Sequence, residues 1–167
     1  TNINNNTTMN LEATLNNTSV SNSSATYTTI PTPFFCINKF VNYNTGAIDA
    51  NGDSLVYSLV PGLNSTGTVI YNTGYSATSP LAVATGSFTF NTSSGQLSFL
   101  PNLLQKSLVV VRVQEYRNGV LIGTSMREMT FIIANCANNP PKGLMTNNNR
   151  GTIDSNGTKI SVCKPVD

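Results

Sequence analysis

Short apolar runs separated by clusters of Asn, Gly, Ser and Pro recur along the whole chain. Residues 54–60 show the pattern most simply, because Leu55, Tyr57 and Leu59 alternate with residues that face the other way. A period of two is the pattern of a half-buried strand. No segment keeps helical periodicity over a useful length, and eight prolines and twelve glycines interrupt the chain. The sequence therefore predicts an all-β, antiparallel β-sandwich.

The strongest local signal is a long hairpin predicted over residues 107–133. Residues 108–116 form a β-branched run, which is typical of a strand. Asn118-Gly119 follows, and this pair is typical of a type I′ hairpin turn. Gly123 in the returning arm indicates a β-bulge. One face of the first arm carries Val109, Val111 and Val113.

The other strand candidates are shorter. A second hairpin is predicted from residues 86–91 and 96–100, with four residues, Thr92-Ser93-Ser94-Gly95, as its loop. Residues 49–53 are rich in Asn, Gly and Asp and predict a turn. Further strands are expected at residues 11–15, 25–30, 34–40, 69–71 and 81–84.

Charge excludes several classes of partner. Charged residues make up only 10% of the chain, its net charge is +2, and its nine basic residues are scattered. Without a Lys/Arg run, a nucleic-acid-binding face is not expected. No apolar stretch reaches the length of a membrane span, so no direct membrane insertion is expected. Asn, Thr and Ser supply the polarity instead, a composition common outside the cell.

The absence of His argues against enzymatic chemistry. Without His, Ser-His-Asp and Cys-His nucleophilic systems are excluded. No Gly-rich phosphate loop follows a strand and opens a helix. We therefore predict a protein that is not an enzyme.

Composition also predicts the domain organisation. Residues 1–10 form a polar segment expected to fray. Residues 11–136 are predicted to be one β-sandwich domain. After Cys136 a linker-like Asn- and Pro-rich run begins, so residues 137–167 are expected to be a linker and the first strands of a following unit. The chain opens on Thr1 without an initiator Met and is interpreted as a fragment of a longer protein.

Several stretches, in order over residues 11–136, match a known class of repeat. They are LEATLNNT (11–18), IPTPFFC (30–36), GAIDANGDSLVY (46–57), GYS (74–76), GQLSFLP (95–101), VRVQEYRNG (111–119) and residues 127–136. Together they resemble the cadherin-like or PKD-like repeat of very large Bacteroidota cell-surface proteins, including gliding-motility adhesins exported by the type IX secretion system. The resemblance implies an extracellular, Ig-like or cadherin-like β-sandwich.

The resemblance implies a function at the bacterial surface. It implies a structural or adhesive repeat that supports attachment or gliding, with neighbouring repeats of the same chain and a polysaccharide or substratum surface as partners. The alternative is a carbohydrate-binding module of a surface polysaccharide-processing protein. Tyrosines that stack on sugars would favour that alternative, whereas tyrosines in the core or sheet would not. The five candidates are Tyr43, Tyr57, Tyr71, Tyr75 and Tyr116.

The three cysteines, Cys36, Cys136 and Cys163, permit three pairings by spacing alone. The resemblance implies that Cys36 and Cys136 bracket the unit and that Cys163 belongs to the next one. A disulfide between Cys36 and Cys136 is therefore expected, since an oxidising compartment favours it. Two free thiols, or a Cys136–Cys163 bond, are the alternatives.

Asp49, Asn51 and Asp53 form the candidate metal site. Oxygen ligands at alternate positions of a tight loop can converge on Ca²⁺, which takes six to eight oxygens. This makes Ca²⁺ the only cofactor that the sequence indicates. The alternative is a plain turn in which these side chains bond the backbone.

Charged residues concentrate on the long predicted hairpin. Arg112 and Arg127 are expected to face Glu115 and Glu128 across the strands and form an ion-pair ladder. The enzymatic alternative is that two of the carboxylates form a glycoside-hydrolysing pair.

Overall fold

The computed structural model describes residues 1–4, 8–18, 21–29, 34–136, 152–153 and 160–161. Within these ranges the regular secondary structure consists of β-strands. The chain divides into two compact units, Thr1–Cys136 and Ala137–Asp167. In the second unit, β13 (Thr152–Ile153) pairs antiparallel with β14 (Ile160–Ser161). The first unit contains β1 (Ala13–Leu15), β2 (Thr26–Tyr27), β3 (Phe34–Cys36), β4 (Val41–Tyr43), β5 (Ala47–Ile48), β6 (Ser54–Leu59), β7 (Leu63–Asn64), β8 (Gly67–Thr68), β9 (Thr89–Phe90), β10 (Leu97–Phe99), β11 (Gln105–Arg117) and β12 (Val120–Ala134).

The predicted long hairpin is confirmed as β11 and β12, which have 13 and 15 residues. Asn118 and Gly119 have φ values of 51° and 79°, as a type I′ turn requires at both central positions. The register shifts after Glu115 pairs with Gly123, because Tyr116 then pairs with Leu121. The bulge therefore lies at Ile122, beside the glycine that predicted it.

Three further strands complete the main, five-stranded sheet. β6 pairs antiparallel with β11 over Ser54–Leu59. β1 pairs antiparallel with β12 near Gly123, and β3 runs parallel to the other end of β12. Two short strands therefore share the outer edge of β12.

The core lies between this sheet and the three-stranded sheet β4-β10-β9. Phe131 packs against Phe35, Tyr43 and Phe99, with ring centroids 5.0, 5.2 and 5.9 Å away. The fold is consistent with the predicted antiparallel β-sandwich. The predicted inward faces are confirmed, since Val109, Val111, Val113 and Tyr57 are buried in the core, and the partly buried Leu55 and Leu59 pack against it.

A smaller apolar cluster covers part of the opposite face of the main sheet. Val69 packs there against Leu108 and Val110. Asn2 is fully buried beside this cluster. Its side-chain amide is satisfied there, because it donates to Leu108 O at 2.9 Å and accepts from Leu108 N at 2.7 Å. The predicted fraying of residues 1–10 therefore does not extend to residues 1–4.

Several predicted strands differ from those observed. The expected strand 34–40 is interrupted by a turn at Asn38, whose φ is 59°, so that β3 ends and β4 begins on the other sheet. Residues 69–71 and 81–84 contribute only single bridges, at Tyr71 and Val83. Most of the predicted following unit, including Cys163, lies outside the described residues.

Candidate functional site

The predicted metal loop is a hydrogen-bonded turn. Asp49 Oδ1 accepts from the amides of Asn51 and Asp53, both at 2.9 Å. Asn51 Oδ1 accepts from Ser23 N at 2.8 Å. Asp49 Oδ2 is buried and has no hydrogen-bond partner among the residues that the structure describes. The Asx-turn bonds of the alternative interpretation are therefore present.

Asp53 makes a two-pronged ion pair with Arg117. Arg117 donates from Nε to Oδ1 at 2.6 Å and from Nη2 to Oδ2 at 2.7 Å. The Asp53 side chain is only 2% exposed. Hydrogen bonding from Arg117 holds the pKa of the Asp53 carboxyl below its ordinary value, and the same bond raises the pKa of Arg117.

The side chains of the three predicted calcium ligands therefore accept hydrogen bonds from different donors. For them to bind Ca²⁺ together, the cation would have to share Asp53 with Arg117 and Asn51 with Ser23 N. Over the described part of the chain, no group of three or more His, Cys, Asp or Glu side chains is placed to hold a metal ion. Calcium binding at this loop stays a prediction.

Glu115 is a fully buried carboxylate at the bulge of the long hairpin. Its Oε1 accepts from Ala25 N at 2.8 Å, and its Oε2 accepts from Asn22 Nδ2 at 3.1 Å. Gly123 lies directly across the hairpin and leaves room for the carboxylate. Buried polar groups of this kind stabilise a fold only when their bonds are made.

Asn22 connects this carboxylate to the ion pair, because its Oδ1 accepts from Arg117 Nη2 at 3.3 Å. Arg117 Nη1 also donates to Ser21 O at 3.0 Å. We call Asn22, Asp53, Glu115 and Arg117 the hairpin network. It attaches residues 21–25 and the turn at residues 49–53 to the hairpin.

The predicted ion-pair ladder is wrong. The register places Arg112 opposite Met126, and Arg127 opposite Val111. Within the described ranges, Arg117–Asp53 is the only ion pair found. Successive side chains of a strand point to opposite faces of the sheet. Glu115 and Arg127 therefore lie on the core face, and Arg112 and Glu128 lie on the other face.

Arg127 instead bonds backbone oxygens. It donates to Thr29 O at 3.0 Å and Thr45 O at 3.1 Å, and its guanidinium lies 4.7 Å from the Tyr27 ring centroid. Such a cation–π contact is worth about 0.5–1 kcal/mol at an exposed site and more when desolvated. Arg127 therefore joins the loops at residues 29 and 45 to β12.

The two glutamates of the hairpin lie on opposite faces of one sheet. Glu115 pairs with Gly123 on the core face, whereas Glu128 pairs with Val110 on the other face, and burial raises its pKa. They cannot flank one glycosidic bond, as a hydrolytic pair must.

The predicted Cys36–Cys136 disulfide is present, with a Cα–Cα distance of 5.3 Å and a sequence separation of 100. The free-thiol and Cys136–Cys163 alternatives are therefore wrong. The bond fixes the end of β3 to the chain that leaves β12, where Cys36 already pairs with Ala134.

Three of the five candidate tyrosines are structural. Tyr43 and Tyr57 are buried in the core, and Tyr71 packs against the smaller cluster. Burial raises the pKa of each of these phenols. Tyr75 and Tyr116 are half-buried.

Comparison of the chain with known proteins finds no matching family model, no matching curated protein and no matching solved structure. In the described residues, no helix has the length and apolar character of a membrane span.

Proposed function

We propose that this chain is a structural and adhesive repeat module of a large surface-exposed bacterial adhesin. In this proposal the module is extracellular, has an Ig-like or cadherin-like fold, and supports cell-surface attachment or gliding. Its partners are neighbouring repeats of the same chain and a polysaccharide or substratum surface. Fold alone does not determine function, so the support must come from particular contacts.

The observation that carries the proposal is the disulfide. Strands β4 to β12 all lie between Cys36 and Cys136 along the chain. A tensile force applied outside these two residues therefore passes through the covalent bond and not through the hydrogen bonds of the enclosed strands. Protection of this kind suits a module that transmits load along a filament.

The hairpin network supports the same interpretation. β1 and β2 lie outside the disulfide loop, so they are not protected by it. The segment just before β2 is held instead by Glu115, which accepts from Ala25 N, and by Arg117, which donates to Ser21 O. Because Glu115 and Arg117 use their charged groups to bond other parts of the same domain, they are better suited to holding this segment in place than to catalysis.

Force spectroscopy on single molecules held at the two chain ends tests the load-bearing part. Reduction should lengthen the final extension by roughly 340 Å, because 100 residues are released at about 3.4 Å each. Equal extensions before and after reduction would contradict the proposal.

Bead attachment tests the adhesive part. Beads coated with the oxidised protein should remain on polysaccharide-coated glass under flow, whereas beads coated with an unrelated β-sandwich protein should detach. Equal detachment of both would remove the adhesive part of the proposal.

A further inference from the structure

A cleft of about 370 Å³ opens on the face of the main sheet that points away from the aromatic core. Its volume falls within the range of small-molecule sites, about 300–1,000 Å³. The apolar part of its lining is formed by Val60, Pro61, Leu63 and Met126. The cleft thus offers aliphatic surface rather than an aromatic platform.

Arg112 lies in the lining of this cleft with unmet hydrogen-bonding capacity. It pairs across the sheet with Met126 on one side and Ser58 on the other. Arg112 Nε and Ser58 Oγ are both buried, and neither has a hydrogen-bond partner among the described residues. Buried polar atoms are normally paired, so two neighbouring exceptions beside one cleft call for a polar ligand or ordered water.

Glu12 contributes the opposite charge to the same lining. Within the described residues it forms no ion pair with Arg112, since the only pair is Arg117–Asp53. Thr68 and Thr124 also line the cleft, and Thr124 Oγ1 already bonds Thr14 Oγ1 at 2.7 Å. The cleft therefore presents a cation, a separate carboxylate and hydroxyl groups around aliphatic walls.

We propose that this cleft binds a hexuronic acid unit of an acidic polysaccharide. The sugar carboxylate accepts hydrogen bonds from Arg112, whose guanidinium matches a carboxylate in shape and charge. Ring hydroxyls donate to Glu12 and exchange bonds with Thr68. The C–H groups of the ring lie against Val60 and Leu63. This inference rests on the proposed adhesive function and names the ligand class.

A hydroxyl-rich acid fits this set of groups better than an amino acid does. An ammonium group only donates hydrogen bonds, so it can pair with Glu12 but cannot accept from the hydroxyl of Thr68. A neutral sugar would offer Arg112 only uncharged oxygens, which make weaker hydrogen bonds with a guanidinium than a carboxylate does. An acidic sugar offers a carboxylate to Arg112 and hydroxyls to Glu12 and Thr68, all three of which line the cleft.

The test begins with the unaltered protein, titrated by NMR with methyl β-D-glucuronide and with methyl β-D-glucoside. The two ligands share the ring and differ in the carboxylate. We expect the glucuronide to bind at least tenfold more tightly and to shift the amides of Leu63, Arg112 and Thr124. Equal affinities, or shifts confined to other residues, would overturn the proposal. So would equally tight binding of N-acetylglycine, which has a carboxylate but no sugar hydroxyls.

Variants then locate the charge requirement. Arg112→Gln should weaken glucuronide binding at least tenfold. Lys106→Gln removes a positive charge from the same strand and the same face but outside the cleft, so it should change the affinity less than twofold. Equal losses in both variants would show nonspecific charge attraction and overturn the proposal. If Arg112→Gln does not fold, Glu12→Gln replaces it, with at least a threefold loss expected.

The outcomes separate this inference from the function on which it rests. If Arg112→Gln beads still attach to acidic polysaccharide as the unaltered protein does, the cleft proposal fails and the adhesive proposal stands. If coated beads never attach, the adhesive proposal fails, while the NMR titration still decides whether the cleft binds the sugar.

Discussion

Gly123 lies directly opposite Glu115 across the long hairpin, and a β-carbon at position 123 would collide with the buried carboxylate. The φ angle of Gly123 is not in the left-handed region, so the requirement for glycine is one of space rather than of backbone conformation. The bulge and the buried acid therefore depend on each other.

The Gly123→Ala variant should consequently be less stable. Overpacking of this kind lowers the free energy of unfolding by about 1–3 kcal/mol. Urea denaturation measures the loss, and Thr130→Ala at an exposed position of the same strand is the control. Equal stabilities of the two variants would contradict the steric argument.

A charge exchange between Asn22 and Glu115 tests the hairpin network. Glu115→Gln alone places an amide donor against Ala25 N or Asn22 Nδ2 and should lower the free energy of unfolding by about 1–3 kcal/mol. Asn22→Asp alone opposes two carboxylates and should also destabilise.

The double variant should recover part of this loss, because Asp at position 22 can accept from both Gln at position 115 and Arg117. A double-mutant cycle from urea denaturation gives the coupling free energy. A coupling of zero would mean that the two side chains do not act together.

Acid should weaken the fold through Asp53. The folded-state pKa of this carboxyl lies below its unfolded value of about 3.9, so its stabilising contribution is complete above that value. As pH falls through the folded pKa, the carboxyl is protonated and the contribution is lost. Asp53→Asn and Arg117→Gln should each flatten the dependence of stability on pH below about 4. An unchanged slope in both variants would assign the acid sensitivity to other groups.

Removal of the disulfide should destabilise the protein strongly. In the chain-entropy model, a loop of about 100 residues contributes about 4.7 kcal/mol. The Cys36→Ser/Cys136→Ser double variant, compared with the oxidised protein in urea, measures this contribution. Reductant should lower the Tm of the unaltered protein and leave that of the double variant unchanged.

Calcium dependence is tested by thermal melting in CaCl₂ and in EDTA. With Asp53 bonded to Arg117 and Asn51 bonded to Ser23, we expect the same Tm in both solutions. A ligand that binds only the folded state raises Tm. A rise in CaCl₂ that is absent in Asp53→Asn would therefore establish calcium at the loop.

Local patterns explain which parts of the fold were predictable. The long hairpin follows from a β-branched run and an Asn-Gly pair that are adjacent in sequence. β6 follows from its own alternation. The strand predicted at 34–40 failed because the apolar run continues through a turn at Asn38 that sends the chain to the other sheet.

The hairpin network was not predictable because its partners are distant in sequence. Asn22 and Glu115 are 93 residues apart, and Asp53 and Arg117 are 64 residues apart. The pattern Asp49-x-Asn51-x-Asp53 is the same for a calcium loop and for an Asx turn. In this protein the carboxylate of Asp53 is paired with Arg117, and the residues around Asp53 in the sequence do not predict that pairing.

The strand order of the main sheet also determines when this domain can fold. β1 and β3, near the start of the chain, both pair with β12, which is the last strand of the first unit. A chain that emerges from a ribosome or an export channel with its N-terminus first must therefore keep β1 unpaired until residues 123–125 are free, and β3 unpaired until residues 132–134 are free. Completion of the main sheet and closure of the disulfide thus await the same final residues of the unit.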